Sequence, residues 1–211
     1  MTFCAIDETK YVSDVYNNIA HHFRDTRAYK WQWVTDFVTS FADHSTIYDV
    51  GCGSGRNMEY ENYHFIGRDN CDAFINMCLR QGKQVVKSCM TNIELPSESC
   101  DGLMCIAAFH HLTTERRRIY ALQEMKRVLK SDGKILISVW SKTQPQKTRR
   151  VFDEYGDTLV PWKNHDGTQK ERFYYIFQLD EIKELFEKVG LVVESHNWET
   201  GNEVFVLSKK K

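Results

Sequence analysis

The chain has 211 residues, 42% of them hydrophobic and 27% charged, with a formal net charge of −1. That length suits one domain with a real apolar core. A near-zero charge gives no global electrostatic grip on nucleic acid, and no run approaches the roughly 18 apolar residues of a membrane span. The first ten residues mix Asp7, Glu8 and Lys10 with apolar residues and lack a secretory h-region, so the expectation is a soluble cytoplasmic protein, with a nuclear pool as the alternative. Seven cysteines, an odd number with no CxxC pair, predict reduced thiols and neither a disulfide framework nor a metal site.

In chain order, Val12, Val15, Tyr16, Ile19, Ala20 and Phe23 recur at helical spacing, and a second helix is predicted from Trp31 to Phe41. Strands are predicted over Thr46–Val50, Tyr63–Gly67 and Gln84–Lys87, with a helix from Asp72 to Arg80 before the last. Gly102–Ala108 is a continuous apolar run of the kind buried in a parallel sheet. A helix capped by Thr113 or Thr114 runs to Leu129; Asp132-Gly133 breaks it, and Lys134–Trp140 is a strand. A polar, aromatic-studded stretch follows, then a helix over Asp180–Val189 and strands over Leu191–His196 and Glu203–Ser208. Alternating strands and helices predict an α/β fold with a parallel sheet. The short link Asn197–Asn202 forces an antiparallel pair at its end.

The sharpest motif is Asp49-Val50-Gly51-Cys52-Gly53-Ser54-Gly55, directly after the first strand. Its glycines permit a tight turn and close backbone approach to a ligand. Arg56 stands where the dinucleotide fingerprint requires a third-spaced glycine, which disfavours a diphosphate cradle. The loop resembles the class I S-adenosylmethionine-dependent methyltransferases, whose Rossmann-like sheet has seven strands, mostly parallel, with an antiparallel terminal strand. Asp69, after the second strand, stands where an acidic side chain accepts both ribose hydroxyls, the alternative being a helix cap. The resemblance implies that Asp49, Gly51, Cys52, Gly53, Gly55, Asp69, Asn70 and Ala107 hold S-adenosylmethionine and its product S-adenosylhomocysteine. Counting back from Leu95-Pro96 puts Thr91 where relatives carry an adenine-contacting Asp.

Ala107-Ala108-Phe109-His110-His111-Leu112-Thr113-Thr114-Glu115-Arg116-Arg117 resembles the eukaryotic tRNA wobble-uridine methyltransferases that esterify 5-carboxymethyluridine, with Leu112 replacing an aromatic. Tyr16-Asn17-x-Ile19-Ala20-x-His22-Phe23 with Thr26-Arg27 resembles the family's N-terminal signature, and Thr148-Arg149-Arg150, Val160-Pro161-Trp162 and Arg172-Phe173-Tyr174-Tyr175 match later family blocks in order. The link Lys163–Glu171 is short where some members carry a long charged insertion. The resemblance implies one methyltransferase domain over 1–211: helices over 1–43 cover the site, and a core over 44–211 includes a substrate-facing segment at about 141–178.

A carboxylate acceptor is ionised near neutral pH and needs no general base, only in-line positioning and cations to hold it. No Asp-Pro-Pro-Tyr or Asn-Pro-Pro-Tyr motif marks amide or amine methylation. Arg27, His110 and His111 are the candidate catalytic residues, and Arg149, Arg150, Trp162, Arg172 and Tyr174 the candidate acceptor-binding residues; structural packing is the competing role for the histidines and for two of the aromatics. Two other readings stand beside this one: methylation of a small carboxylic acid or quinone-like metabolite, and an inert binding subunit. The resemblance also implies two partners, the tRNA anticodon stem-loop and a small zinc-binding activator protein. The activator would form a heterodimer through the edge strand Gln84–Lys87, near Cys89 and the Asp72 helix.

Overall fold

The structure is a computed structural model that describes residues 7–26, 30–148, 150–164 and 166–210. A π-helical turn, Thr9–Ser13, leads into α1 (Asp14–Asp25), and α2 spans Gln32–Thr39. Helix α1 buries Val15, Tyr16, Ile19 and Ala20, and α2 buries Val34, Phe37 and Val38, the stripes that their spacing predicts.

The core elements are β1 (Thr46–Val50), β2 (His64–Asp69), α3 (Asp72–Arg80), β3 (Val85–Lys87), β4 (Cys100–Ile106), α4 (Glu115–Val128) and β5 (Leu129–Trp140). After β5 come β6 (Gly156–Lys163), β7 (Gln169–Ile176), α5 (Leu179–Lys188), β8 (Leu191–Glu199) and β9 (Asn202–Lys209). Seven strands form one sheet in the order β3-β2-β1-β4-β5-β9-β8. The pairs from β3 through β5 are parallel. Strand β9 runs antiparallel to both β5 and β8 and lies between them, so the reversed strand is internal and β8 forms the edge. Leu103, Ile135, Ile137 and Phe205 are fully buried and pack with α4 and α5 on one side. Ile47, Met104 and Leu136 pack with α2 and α3 on the other.

Two details differ from the expectations. Strand β5 begins at Leu129, before Asp132-Gly133. Cys100 pairs with Leu129 and Gly102 with Lys134, so the Asp-Gly pair is accommodated as an irregularity of the ladder. The stretch after β5 contains a hairpin, β6–β7, which forms a two-stranded sheet of its own paired from Gly156↔Ile176 to Lys163↔Gln169. Its inner positions bury Val160, Phe173, Tyr174 and Ile176. Strand β3 is an edge, as expected; Val86 on it and Leu79 on α3 are exposed.

Candidate active site

A crevice opens where β1, β2 and β4 end, the carboxyl side on which open α/β sheets bind ligands. Its floor is the glycine bend. Gly51 and Gly53 have φ of +77° and +54°. A Cβ on Gly51 would overlap Ala108 Cβ, whereas one on Gly53 would meet nothing within 4 Å. The first position requires glycine for space as well as for conformation, and the second for conformation alone.

Asp69 fixes this bend. Its Oδ2 accepts from Gly53 N–H at 2.8 Å and its Oδ1 from Cys71 N–H at 2.9 Å. Burial raises its pKa, and the backbone donors Cys71 and Gly53 oppose that rise. The carboxylate thus ties the loop to the start of α3 while lining the crevice. Asp49 lies behind the bend, 1% exposed, with both oxygens unpartnered. Burial first, and then the charge of Asp69, pushes its pKa up to about 7.

Among the residues assigned to the cofactor, Gly51, Cys52, Gly53, Asp69, Asn70 and Ala107 line the crevice. Ala107, just past the end of β4, holds a φ of +51°, and its N–H donates to Ser138 Oγ at 3.0 Å. Gly55 faces away, against Lys83 and Cys78. Thr91 also stands off the crevice, its Oγ1 3.1 Å from Cys89 Sγ. The wall at that point is built by Ser88, Cys89 and Met90, and Ser88 Oγ is buried there without a partner. Counting from Leu95-Pro96 leads to Thr91; counting forward from the end of β3 leads to Ser88.

The far wall is aromatic. His111 lines the crevice and spends both ring nitrogens. Nδ1 lies 2.6 Å from the Phe173 carbonyl, an acceptor only, so Nδ1 carries the proton and Nε2 accepts from the Tyr16 hydroxyl at 3.0 Å. The Tyr16 oxygen lies 3.2 Å from the Tyr174 hydroxyl, which links α1, the segment after β4 and β7. Burial pushes the His111 pKa down to about 3, so the ring is neutral at physiological pH. His110 is fully buried beneath this layer, and burial, then His111 and Arg172, hold its pKa well below the ordinary value.

The residues expected to bind the acceptor gather behind that wall. Tyr174 stacks on Trp140 with centroids 4.0 Å apart, and Arg150 lies over the same indole at 4.3 Å. Arg172 is 2% exposed and lies 4.8 Å from the Trp162 ring and 5.2 Å from that of Tyr174. Trp162 in turn packs edge-on against His22 at 5.0 Å. Arg27 and Arg149 lie outside the described residues.

Three crevice residues had no site role in the motifs. Tyr16 was legible as a core position of α1 and not as a hydroxyl. Glu8 lines the opening and accepts from Arg117 at 2.8 and 3.0 Å and from Thr113 N–H at 3.2 Å, holding the segment before α1 against the start of α4. Arg56, over Trp31 at 4.4 Å, puts a cation at the crevice where the motif reading used it only as a missing glycine. Among the described residues, no group of three or more His, Cys, Asp or Glu side chains is arranged to hold a metal, and no helix is long and apolar enough to cross a membrane.

Residues 48–137 match a methyltransferase domain family. The tRNA (carboxymethyluridine(34)-5-O)-methyltransferase of Schizosaccharomyces pombe is 33% identical over 217 residues, covering 92% of this chain and 94% of that protein. The enzyme of the same name from Arabidopsis thaliana is 40% identical over 138 residues, 65% of this chain and 34% of that protein. The chain therefore spans nearly all of the yeast relative but about a third of the plant one. Among solved structures, the SAM-bound amino pentose methyltransferase CalS10 of Micromonospora echinaspora superposes with a TM-score of 0.70 at 18% identity, covering 91% of this chain and 97% of that one. A Haloferax volcanii methyltransferase in complex with a methyltransferase activator superposes with a TM-score of 0.70 at 14% identity, covering 95% and 98%. These two likenesses establish the fold, a class I methyltransferase sheet. By its likeness to the yeast protein along nearly the whole of both sequences, the chain belongs to the tRNA (carboxymethyluridine(34)-5-O)-methyltransferase family.

Proposed function

We propose that the protein transfers the methyl group of S-adenosylmethionine to the carboxylate of 5-carboxymethyluridine at the tRNA wobble position, giving the methyl ester. The observation that carries this reading is the 33% identity to the fission yeast enzyme over 94% of its length. The crevice fits the cofactor. Asp69 presents a carboxylate beside a bend in which Gly51 packs against Ala108 with no room for a Cβ, and Ser88 adds a buried hydroxyl without a partner. In this reading Asp69 takes the ribose, Gly51, Gly53 and Ala107 admit the methionine portion, and Ser88, Cys89 and Met90 face the adenine. When bound, the cofactor supplies an electrophilic methyl group on a sulfonium.

The chain's own residues position the acceptor and exclude water. No protein base is needed, because the acceptor oxygen is already anionic at neutral pH. His111, neutral and held by Phe173 and Tyr16, forms a rigid wall. The helices before β1 roof the crevice, and the β6–β7 hairpin brings Tyr174 and Arg172 to its acceptor side.

The exposed edge of β3, with Val86 and Leu79 beside it, is the docking face for a small activator protein that adds a strand, making the working enzyme a heterodimer in the cytoplasm. Mass spectrometry of tRNA nucleosides tests the reading, after incubation of the chain with labelled cofactor, with and without the activator. Methyl ester at the wobble uridine is expected. Label on free small acids but not on tRNA would replace it with a metabolite methyltransferase.

A further inference from the structure

Three buried hydrogen-bond donors on the acceptor side have no partner. Nδ1 of His110 accepts from Trp140 N–H at 3.0 Å, so the ring proton is on Nε2, which meets no acceptor. Nε and Nη1 of Arg172 are likewise buried and unpaired. The two side chains share a neighbour: the Tyr174 ring lies 4.7 Å from that of His110 and 5.2 Å from the Arg172 guanidinium carbon. Among the described residues no carboxylate forms an ion pair with Arg172 or with Arg150. Burial works against the Arg172 charge, but the Tyr174 and Tyr16 hydroxyls hold its pKa above the ordinary value, so it remains a cation. A buried cation without a counter-charge, beside donors without acceptors, is a deficit that native interiors rarely leave unfilled.

We propose that His110 and Arg172 form the receptor for the acceptor's carboxylate, and that its all-donor character selects the ionised acid over the neutral amide. The inference rests on the methyl-acceptor reading above. A carboxylate brings two oxygens with about four lone-pair sites to this set and matches the planar guanidinium fork. The corresponding amide turns an NH₂ toward N–H donors and leaves both sides unpaired, the arrangement that gives strong discrimination. His111 has no spare nitrogen and takes no part in the holding.

Tyr16 separates the receptor from the crevice: it lines the opening, and its hydroxyl meets that of Tyr174. Arrival of the acceptor parts these two hydroxyls, so the donors stay dry until the carboxylate reaches them. Methylation converts the anion to a neutral ester, which forfeits its attraction to Arg172 and loosens the product.

The test compares anticodon stem-loops bearing carboxymethyluridine or carbamoylmethyluridine for binding to the full chain, with its activator where required, in the presence of S-adenosylhomocysteine. The wild type should prefer the acid by about tenfold or more. Arg172→Met, and His110→Asn, which keeps an acceptor for Trp140 N–H, should bring that ratio toward one while calorimetric affinity for S-adenosylhomocysteine stays unchanged. If Arg172→Met fails to bind S-adenosylhomocysteine, the ratio in His110→Asn decides. Variants that keep the full acid preference overturn the receptor. Equal weakening of both RNAs also overturns it and assigns Arg172 to the phosphate backbone. A wild type that methylates the acid but binds both RNAs alike sinks the receptor alone. A wild type that neither methylates nor prefers the acid sinks the functional reading beneath it.

Discussion

The Tyr16 hydroxyl lies 3.0 Å from Nε2 of His111, joining the first helix to the segment that follows the fourth strand. Because the Phe173 carbonyl fixes the proton on Nδ1, Tyr16 is the donor in this pair. The helix before the sheet therefore sets the orientation of a ring in the aromatic wall of the crevice.

Tyr16→Phe removes that donor and leaves a buried acceptor unsatisfied, at a cost of about 1–3 kcal/mol. Urea unfolding should show a lower midpoint with an unchanged slope. Turnover on tRNA should fall more than cofactor affinity, since Asp69, proposed to take the cofactor's ribose, is untouched. An unchanged midpoint would falsify the bond's structural role.

Stability should fall on mild acidification. His111, with its pKa down at about 3, and His110, also depressed, resist protonation in the folded state, whereas the unfolded chain takes up these protons near 6.5. The unfolded state then binds more protons, so stability is lost as pH drops from about 6.5 toward 3, by up to about 1.4 kcal/mol per unit for each ring. Asp49, raised to about 7, has the opposite sign between roughly 4 and 7, because there the folded state holds the extra proton. Asp49→Asn should thus steepen the acid loss, and His111→Gln should flatten it, in urea midpoints measured from pH 4 to 8.

The two glycines should separate. Gly51→Ala drives a methyl into Ala108 in a left-handed backbone, so cofactor binding should drop by more than about tenfold along with stability. Gly53→Ala meets open space and should cost about 1–2 kcal/mol through its conformation alone. Calorimetry with S-adenosylhomocysteine, together with thermal unfolding, checks both; equal effects would refute the steric distinction.

Asp69→Ala frees Gly53 N–H and Cys71 N–H together, so the bend loosens as the carboxylate proposed to take the ribose is lost. Cofactor affinity should weaken by roughly tenfold to a hundredfold, the range of one or two charge-assisted hydrogen bonds. Asp69→Asn, which keeps one acceptor, should fall between. Wild-type affinity in the alanine variant would contradict the assignment.

The chemical step in single turnover should be flat from about pH 6 to 9, because the acceptor ionises below that range and His111 stays neutral throughout it. A tenfold rise per unit would point to a base and to a different acceptor.

Much of this architecture was legible in the sequence. Helical spacing gave α1 and α2, the apolar run gave β4, and the short turn before Asn202 gave the antiparallel end. The Gly53–Asp69 pair was legible because its two members sit at two successive strand ends. Thr91 illustrates the limit: distance along the chain from a Leu-Pro pair is a poor ruler when residues between it and the strand loop out. The β6–β7 hairpin was missed because Arg172 and Tyr174 read as polar and aromatic content without a clear period. Tyr16 was hidden by its own success as a core residue, since periodicity reports which face a side chain takes and nothing about what its oxygen meets.

The hairpin's independence from the main sheet has a practical consequence. Strands β6 and β7 pair with each other and share no ladder with the seven-stranded sheet, so the ribbon's tip is free of that sheet's hydrogen bonding while Phe173 on β7 still meets His111 at the crevice. The turn joining the two strands can therefore vary in length without disturbing the main ladder, whereas a shift of register would carry Phe173 away from His111 and be felt in the crevice.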